Sequence, residues 1–327
     1  MQRRSFLAVA TGSAVIASWP AHARPGPVPL VGYLGPPPSV GGFVQAFQRG
    51  LAELGYAEGR NLKVEYRYNV AVEGNLDRLA ELSAELVGLR PDVLVVSLTE
   101  VALAMKKATQ KIPIVMANVS DPVAAGLVAS LARPGGNLTG VSRQTPELIG
   151  KQFQILKEML PKAALVGFLL NPTDQLHPVI VEIIRTTAAT LGVGVMIQTP
   201  STPAELTDAF ATLHARRADA VLVGDGGVLY LSRLQIAELA LANRIPSMSS
   251  YPEPVESGGL ISYSASSLAN YRRAAFFVDR ILKGAKPADL PIEQPTAFRL
   301  VINMKTARAL GIAMPQSLLL RADDVFQ

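Results

Sequence analysis

Val31-Gly32-Tyr33-Leu34 recurs in the second half of the chain as Val166-Gly167-Phe168-Leu169. Each stretch is followed by a segment with helical spacing and then by an apolar run, Val-Leu-Val-Val at 93–96 and Ala-Val-Leu-Val at 220–223. Short apolar runs that alternate with amphipathic helices are typical of βαβ units, in which parallel strands are covered by helices on both faces. The pattern therefore predicts an α/β fold.

The two halves also match at other points, in the same order along the chain. The matching pairs are Leu54-Gly55 with Leu191-Gly192, Asp92 with Asp219 before the apolar runs, Ile112-Pro113 with Ile245-Pro246, and Gly135-Gly136 with Gly258-Gly259. Repeats that stay in register indicate a duplicated unit. We predict two doubly wound parallel-sheet lobes joined by a hinge. Lobe 1 takes residues 28–142 plus about 266–285, and lobe 2 takes 143–265 plus about 286–327.

Length and composition exclude several protein classes. The 327 residues are 49% hydrophobic and 17% charged, which suits a folded protein of two domains and excludes a disordered chain. The formal net charge is +5, but no stretch gathers the basic residues, so we expect no nucleic-acid partner. The absence of cysteine excludes disulfides, thiolate metal sites and cysteine nucleophiles.

The first 23 residues have the pattern of an export signal. Arg3-Arg4 precedes an apolar run at 6–17, and Ala-His-Ala at 21–23 is a small-x-small cleavage site. The paired arginines are typical of a twin-arginine signal, but a basic start also fits the general export route. Either route predicts a periplasmic protein that is cleaved near Ala23, and cleavage there removes Trp19, the one tryptophan in the sequence.

The motifs of common hydrolases and nucleotide-binding enzymes are absent. The sequence contains no Gly-x-x-x-x-Gly-Lys-Ser/Thr, no Gly-x-Ser-x-Gly and no His-Glu-x-x-His. After removal of the signal only His177 and His214 remain, far apart in the sequence, and we interpret both as surface or helix-end residues. We therefore expect no enzyme, no catalytic residue, no metal and no cofactor.

Polar and aromatic residues placed just after predicted strands are the candidate ligand contacts, because ligands of parallel sheets bind beyond the carboxyl ends of the strands. Thr99 either caps a helix or binds a ligand carboxylate, and Asp121 either caps a helix or accepts from a ligand ammonium. In the second lobe, Asn171 and Asp225 occupy the equivalent positions. Asp225 either forms a turn before Gly226 or accepts a hydrogen bond from a ligand amine.

Two tyrosines complete the candidate set. Tyr251 and Tyr263 follow the last two strand-like runs of the second lobe. Each either stacks on a ligand ring or packs at the edge of the lobe.

Several longer stretches resemble the ABC transporter substrate-binding family that includes tryptophan- and tyrosine-type binding proteins. They are Leu-Gly-Tyr-Ala-Glu-Gly-Arg-Asn-Leu at 54–62, Ser-Asp-Pro-Val at 120–123, Ser-Leu-Ala-Arg-Pro-Gly-Gly-Asn at 130–137, and the closing segments 272–275, 281–291 and 318–325. The resemblance implies a type I periplasmic-binding fold, with three segments that cross between lobes. It places ligand contacts in the loops at Thr99, Asp121, Asn171, Asp225 and Tyr263. In one departure, Ser97-Leu98-Thr99 lacks the glycine expected between its hydroxyl residues.

The same resemblance implies the physiological role, which is capture of a small solute and delivery to an ABC permease with a separate ATPase. We expect a monomer. We also expect its ligand to be an amino acid or an aromatic or apolar carboxylate and not a sugar, because the aromatic content of 6% offers few rings to stack on a sugar. Two alternatives stay open from the sequence: the ligand-binding partner of a membrane sensor, and a secreted enzyme of the same fold.

Overall fold

The computed structural model describes residues 27–68, 76–143, 145–172 and 176–327. The predicted export signal at 1–23 lies outside these residues. Each half of the chain builds its own sheet, with helices on both faces, and the predicted α/β fold of two lobes is confirmed. Among the described residues, the structure contains no helical segment with the length and hydropathy of a bilayer span.

The first sheet has five parallel strands in the order β2-β1-β3-β4-β5. The strands are β1 (Leu30–Gly35), β2 (Lys63–Tyr68), β3 (Val93–Ser97), β4 (Ile114–Val119) and β5 (Leu138–Ser142), and the helices between them are α1 (Phe43–Glu53), α2 (Leu76–Gly88) and α3 (Thr99–Ala108). Strands β3 and β4 are buried along their whole length. Their continuous apolar sequences fit this position, because helices cover both faces of the sheet.

The second sheet has seven strands in the order β12-β11-β10-β9-β8-β6-β7. The strands are β6 (Leu165–Leu169), β7 (Gly194–Gln198), β8 (Ala220–Val223), β9 (Ser247–Ser249), β10 (Ile261–Ala265), β11 (Phe298–Asn303) and β12 (Asp324–Phe326). Strands β10 and β11 are antiparallel, so this sheet is not purely parallel as the sequence predicted. The chain leaves β10 for the first lobe and returns from that same end, so β11 runs back in the opposite direction.

The helices of the second lobe include a long one at its start and several short ones near the strand ends. They are α4 (Thr145–Met159), α5 (His177–Thr190), α6 (Pro203–Ala215), α7 (Gly227–Leu231), α8 (Arg233–Ala242), α9 (Glu253–Glu256), α11 (Met304–Leu310) and α12 (Gln316–Arg321). Apolar side chains from α4, α5 and the sheet form the main core of this lobe, with Phe153 and Phe168 fully buried.

Helix α10 (Ser267–Leu282) belongs to the first lobe although it follows β10 of the second sheet. It packs against α1, β3, β4 and β5. Gly50 on α1 makes this close packing possible, because a Cβ at that position would lie 2.4 Å from the backbone oxygen of Arg272. The chain therefore crosses between the lobes after β5, after β10 and again before β11.

The last crossing comes later than the predicted boundary at about 286. The backbone N–H of Ile292 donates to Leu131, and Glu293 exchanges backbone hydrogen bonds with Gly140 and Ser142 at the edge of the first sheet. Ile292 is buried in the core of the first lobe. Residues up to Glu293 therefore pack on lobe 1, because this segment completes an edge that β5 would otherwise leave unpaired.

Candidate ligand-binding site

Residues that follow strands of different sheets meet where the two lobes face each other. Arg143 follows β5 of the first sheet, whereas Asp225 follows β8 and Tyr251 follows β9 of the second sheet. Arg143 donates from Nη2 to Asp225 Oδ1 at 2.6 Å and from Nη1 to the Tyr251 hydroxyl at 2.8 Å. We call these three residues the interlobe cluster.

The charges of the interlobe cluster are largely removed from solvent. The side chains of Arg143 and Asp225 are 5% and 16% exposed. Burial opposes the positive charge of Arg143, but the charges and hydrogen bonds of Asp225 and Tyr251 together outweigh it and raise the pKa of Arg143. Burial likewise raises the pKa of Tyr251, whose ring also lies under the guanidinium, 4.8 Å from ring centroid to Cζ. Arg143 is therefore a fixed cation held between the lobes.

Four buried rings form a continuous run from the second lobe to the first. Tyr251 meets Tyr230 edge-on at 5.1 Å between centroids, Tyr230 lies 6.1 Å from Phe43, and Phe43 stacks on Tyr271 at 4.9 Å. We call this run the aromatic bridge. Because Tyr230 and Phe43 come from different lobes, the bridge marks the contact that must open and close if the lobes move apart.

An apolar pocket in the second lobe borders Asp225. Its floor is formed by side chains of α4, α5 and β6 together with the residue after β6, and its polar rim includes Asn171, His177 and Ser250. The floor residues are Leu148, Ile149, Phe168, Leu170 and Ile180. The pocket's volume of about 20 Å³ has room for one water-sized group, whereas small-molecule sites enclose about 300–1,000 Å³, so this pocket is a small extension beside Asp225 and not a complete ligand site.

The structure brings three of the predicted contacts together. Asp225 and Tyr251 belong to the interlobe cluster, and Asn171 lies beside Asp225 on the pocket rim. Gly226 holds this arrangement, because its φ is +141° and a Cβ there would lie 2.7 Å from the Cβ of Asn171. Asp225 is not the free carboxylate that the sequence suggested, since Arg143 already occupies one of its oxygens.

Thr99 and Asp121 lie on the first lobe in local structural roles. The hydroxyl of Thr99 accepts from the backbone N–H of Ser120 at 3.4 Å, and Asp121 Oδ1 accepts from the N–H groups of Val123 and Ala124 at 3.1 and 2.9 Å. The second pattern matches the capping interpretation of Asp121. Leu98, in the place of the expected glycine, has a φ of +72°, a strained conformation for a branched side chain.

Tyr263 lies apart from the interlobe cluster. Its ring stacks on Phe298 at 5.6 Å and packs against the core of the second lobe. The strand alternation explains this position, because Tyr263 is inside β10 rather than after it. The edge-packing interpretation describes Tyr263 in this structure, and a ligand contact there has no support from the geometry.

Sequence reasoning missed Arg143, Tyr230 and Phe43. Arg143 directly follows a strand, so the rule that selected Asp225 would have selected it as well. Tyr230 and Phe43 lie at helix ends within apolar patterns, and nothing local distinguishes them from core residues. Their contact depends on how the two lobes face each other.

Comparison with known proteins agrees with this architecture. The sequence model described as "ABC transporter substrate binding protein" matches residues 37–326. The chain belongs to this family. The family expected from the sequence is thereby confirmed, and its members are solute-binding proteins.

Similar proteins include one curated relative and two solved structures. A tyrosine-binding protein of Clostridioides difficile (strain R20291) is 27% identical over 275 residues, which cover 84% of this substrate-binding protein and 78% of the relative. A conserved domain protein from Vibrio cholerae is 28% identical with a TM-score of 0.84, over 91% of this chain and 99% of that one. An ABC domain from Streptococcus pneumoniae in complex with L-Trp is 28% identical with a TM-score of 0.81, over 90% of this chain and 100% of that one.

Proposed function

We propose that this substrate-binding protein captures an amino acid, or an aromatic or apolar carboxylate, in the cleft between its lobes and delivers it to an ABC permease with a separate ATPase. The interlobe cluster is the observation that carries the proposal. It supplies a buried cation and a buried anion at the carboxyl ends of strands from both sheets, next to aromatic rings and an apolar pocket.

The cluster matches the two charges of a zwitterion. Arg143 offers donors to a carboxylate, and Asp225 offers acceptor oxygens to an ammonium group. In the unliganded chain these groups satisfy each other, so a ligand that brings both charges replaces each partner without leaving a buried charge unpaired. A ligand that carries only one charge would leave either Arg143 or Asp225 without a partner. The site therefore favours compact zwitterions.

Apolar contacts supply the rest of the affinity. A micromolar dissociation constant corresponds to about 8 kcal/mol, whereas one charge-assisted hydrogen bond contributes about 1.5–3 kcal/mol. The aromatic bridge offers apolar area for a ring or a branched side chain. The two relatives whose names mention tyrosine and L-Trp support a ring-bearing amino acid.

Closure of the two lobes on the ligand follows from the same geometry. Contacts to Arg143 from one side and to Asp225 and Tyr251 from the other stabilise the closed form over the open one. The chain acts as a monomer in the periplasm after cleavage near Ala23, and Asn171 beside Asp225 extends the binding surface.

The binding test uses a chain that begins at Arg24. That chain contains no tryptophan, so fluorescence of added L-tryptophan reports its own environment directly. We expect L-tryptophan, L-tyrosine or L-phenylalanine to raise the melting temperature, with a stabilisation that grows as the logarithm of ligand concentration over dissociation constant. No shift with any of the three in large excess would reject the aromatic amino-acid assignment.

A matched pair of variants locates the site. Arg143→Met removes the cation of the interlobe cluster, and Arg273→Met removes an exposed cation that pairs with Glu293 and lies over Phe276. We expect the ligand shift to disappear in Arg143→Met and to persist in Arg273→Met. Loss of the ligand shift in both variants, or retention of the shift in both, contradicts a site at Arg143.

A further inference from the structure

Glu253 carries a buried carboxylate oxygen without a hydrogen-bond partner. It is the first residue of α9, shortly after the carboxyl end of β9. Among the described residues, Oε2 finds no donor. Buried polar atoms in folded proteins are almost always hydrogen-bonded, so a free carboxylate oxygen needs an explanation.

Neither nearby cation forms an ion pair or hydrogen bond with this oxygen. Arg143 is engaged by Asp225 and Tyr251, and Arg233 lies over the ring of Tyr230, 5.1 Å from Cζ to the centroid, where it donates to the Tyr230 backbone oxygen. Burial raises the pKa of Glu253 and the charge of Glu256 adds to the rise, although a backbone hydrogen bond and the more distant charges of Arg233 and Arg143 oppose it. The unliganded protein therefore keeps an unfavourable group next to the site.

Glu253 lies two residues beyond Tyr251, the first ring of the aromatic bridge. Burial and then the charge of Glu253 raise the pKa of the Tyr230 hydroxyl to about 12. That hydroxyl lies at the meeting of the lobes, because a Cβ on Gly41 of the first lobe would be 2.8 Å from it. Glu253 is thus close to the interface that a ligand would enter.

We propose that the free carboxylate oxygen of Glu253 accepts a hydrogen bond from the ammonium group of the bound ligand, and that Glu253 determines specificity for ligands that carry an amine. The inference rests on the proposed function and names a second anionic acceptor beside Asp225. An ammonium supplies both the missing donor and the missing charge, and the faces of neighbouring tyrosine rings favour the same cation.

Selectivity follows from the cost of an unpaired charge. A ligand without an amine would close the cleft over a carboxylate that still has no partner. Sites built to hydrogen-bond a polar group reject analogues that lack it, because their own buried groups are then left unpaired. Glu253 would thereby exclude aromatic acids that satisfy every other contact.

The test compares L-tryptophan with indole propionate, which differs by the missing amine. Calorimetric titration is carried out on the chain from Arg24 onward, on Glu253→Gln, and on the exposed-neighbour control Glu256→Gln. In the unsubstituted chain and the control we expect the amine to improve affinity at least about tenfold. In Glu253→Gln we expect this preference to fall to about threefold or less, with indole propionate affinity unchanged or improved.

The outcomes separate the two proposals. Equal weakening of both ligands in Glu253→Gln would mean a structural role and would overturn the inference, as would an unchanged preference. If the unsubstituted chain binds neither these ligands nor other aromatic amino acids, the proposed ligand class fails and the inference falls with it. Binding without amine preference in the unsubstituted chain overturns the Glu253 inference alone.

Discussion

The guanidinium of Arg143 and the carboxylate of Asp225 lie 2.6 Å apart, although they follow strands of different sheets. The pair ties the crossing after β5 to the end of β8, and Tyr251 holds the second arm of the guanidinium. Because both charges are shielded from water, each depends on the other. The pair therefore acts on stability and on ligand binding together.

A double-mutant cycle on this pair measures that dependence. We expect Arg143→Met and Asp225→Asn each to lower the free energy of unfolding by about 3 kcal/mol, since each leaves a partner buried without its counter-charge. The double variant should lose less unfolding free energy than the two single variants combined, with a coupling energy of about 2 kcal/mol. Urea titrations measure all three losses. Strict additivity would contradict the pairing.

The exposed pair of Arg273 and Glu293 is the control for the cycle. Their side chains are 44% and 40% exposed. Arg273→Met should cost no more than about 1 kcal/mol, because solvent screens such pairs.

Two tyrosine hydroxyls should differ sharply in their effect on the site. Tyr251→Phe removes a partner of Arg143 and should weaken ligand binding by about tenfold, since a hydrogen bond to a charged group contributes about 1.5–3 kcal/mol. Tyr263→Phe keeps the stacking on Phe298 and should leave affinity within about twofold. Calorimetric titration with L-tryptophan compares the affinities of the two variants. An equal loss of affinity in both would indicate that Tyr263 contacts the ligand.

Gly226 should be more sensitive to substitution than a glycine of similar backbone conformation in open space. Gly226→Ala places a methyl group 2.7 Å from Asn171 at a φ of +141°, whereas Gly258 has a φ of +108° and its nearest contact would be 3.9 Å away. Backbone strain should lower the free energy of unfolding of both variants by about 1–3 kcal/mol. We expect Gly226→Ala also to lose ligand affinity, because it displaces Asn171 and Asp225.

Thermal unfolding and ligand titration separate the two glycine variants. Retention of full affinity in Gly226→Ala would show that the loop after β8 adapts without disturbing the site.

Glu253 should make stability depend on pH in a defined direction. Its pKa is raised in the folded state by burial, with Glu256 adding to the rise and Arg233 and Arg143 opposing it. The folded chain therefore holds the proton more tightly than the unfolded chain, so stability is present at low pH and is lost as the pH rises through the raised pKa.

The comparison of Glu253→Gln with the unsubstituted chain checks this sign. At about pH 8 we expect the unliganded variant to be the more stable, by about 1 kcal/mol, since it no longer buries an unpaired charge. The difference should shrink toward about pH 3, below the ordinary glutamate pKa of about 4.3, where the glutamate is protonated in both states. A variant that is less stable at every pH would indicate that Glu253 has a stabilising partner.

Local sequence patterns predicted much of the fold and part of the site. The runs at 93–96 and 220–223 identified buried parallel strands, because only strands covered on both faces tolerate continuous apolar sequence. Asp225 and Tyr251 follow strands, and the structure places both against Arg143 between the lobes. These inferences succeed because strand period and strand direction are properties of a few neighbouring residues.

The tertiary structure alone decided which side chains meet. Arg143 and Asp225 are 82 positions apart, and no local pattern specifies their pairing. The same holds for Phe43 against Tyr230, for the segment that stays on the first lobe as far as Glu293, and for the antiparallel entry of β11. Amino-acid order fixes periodicity along each element, whereas contacts between lobes depend on how two separate cores are oriented through their crossing segments.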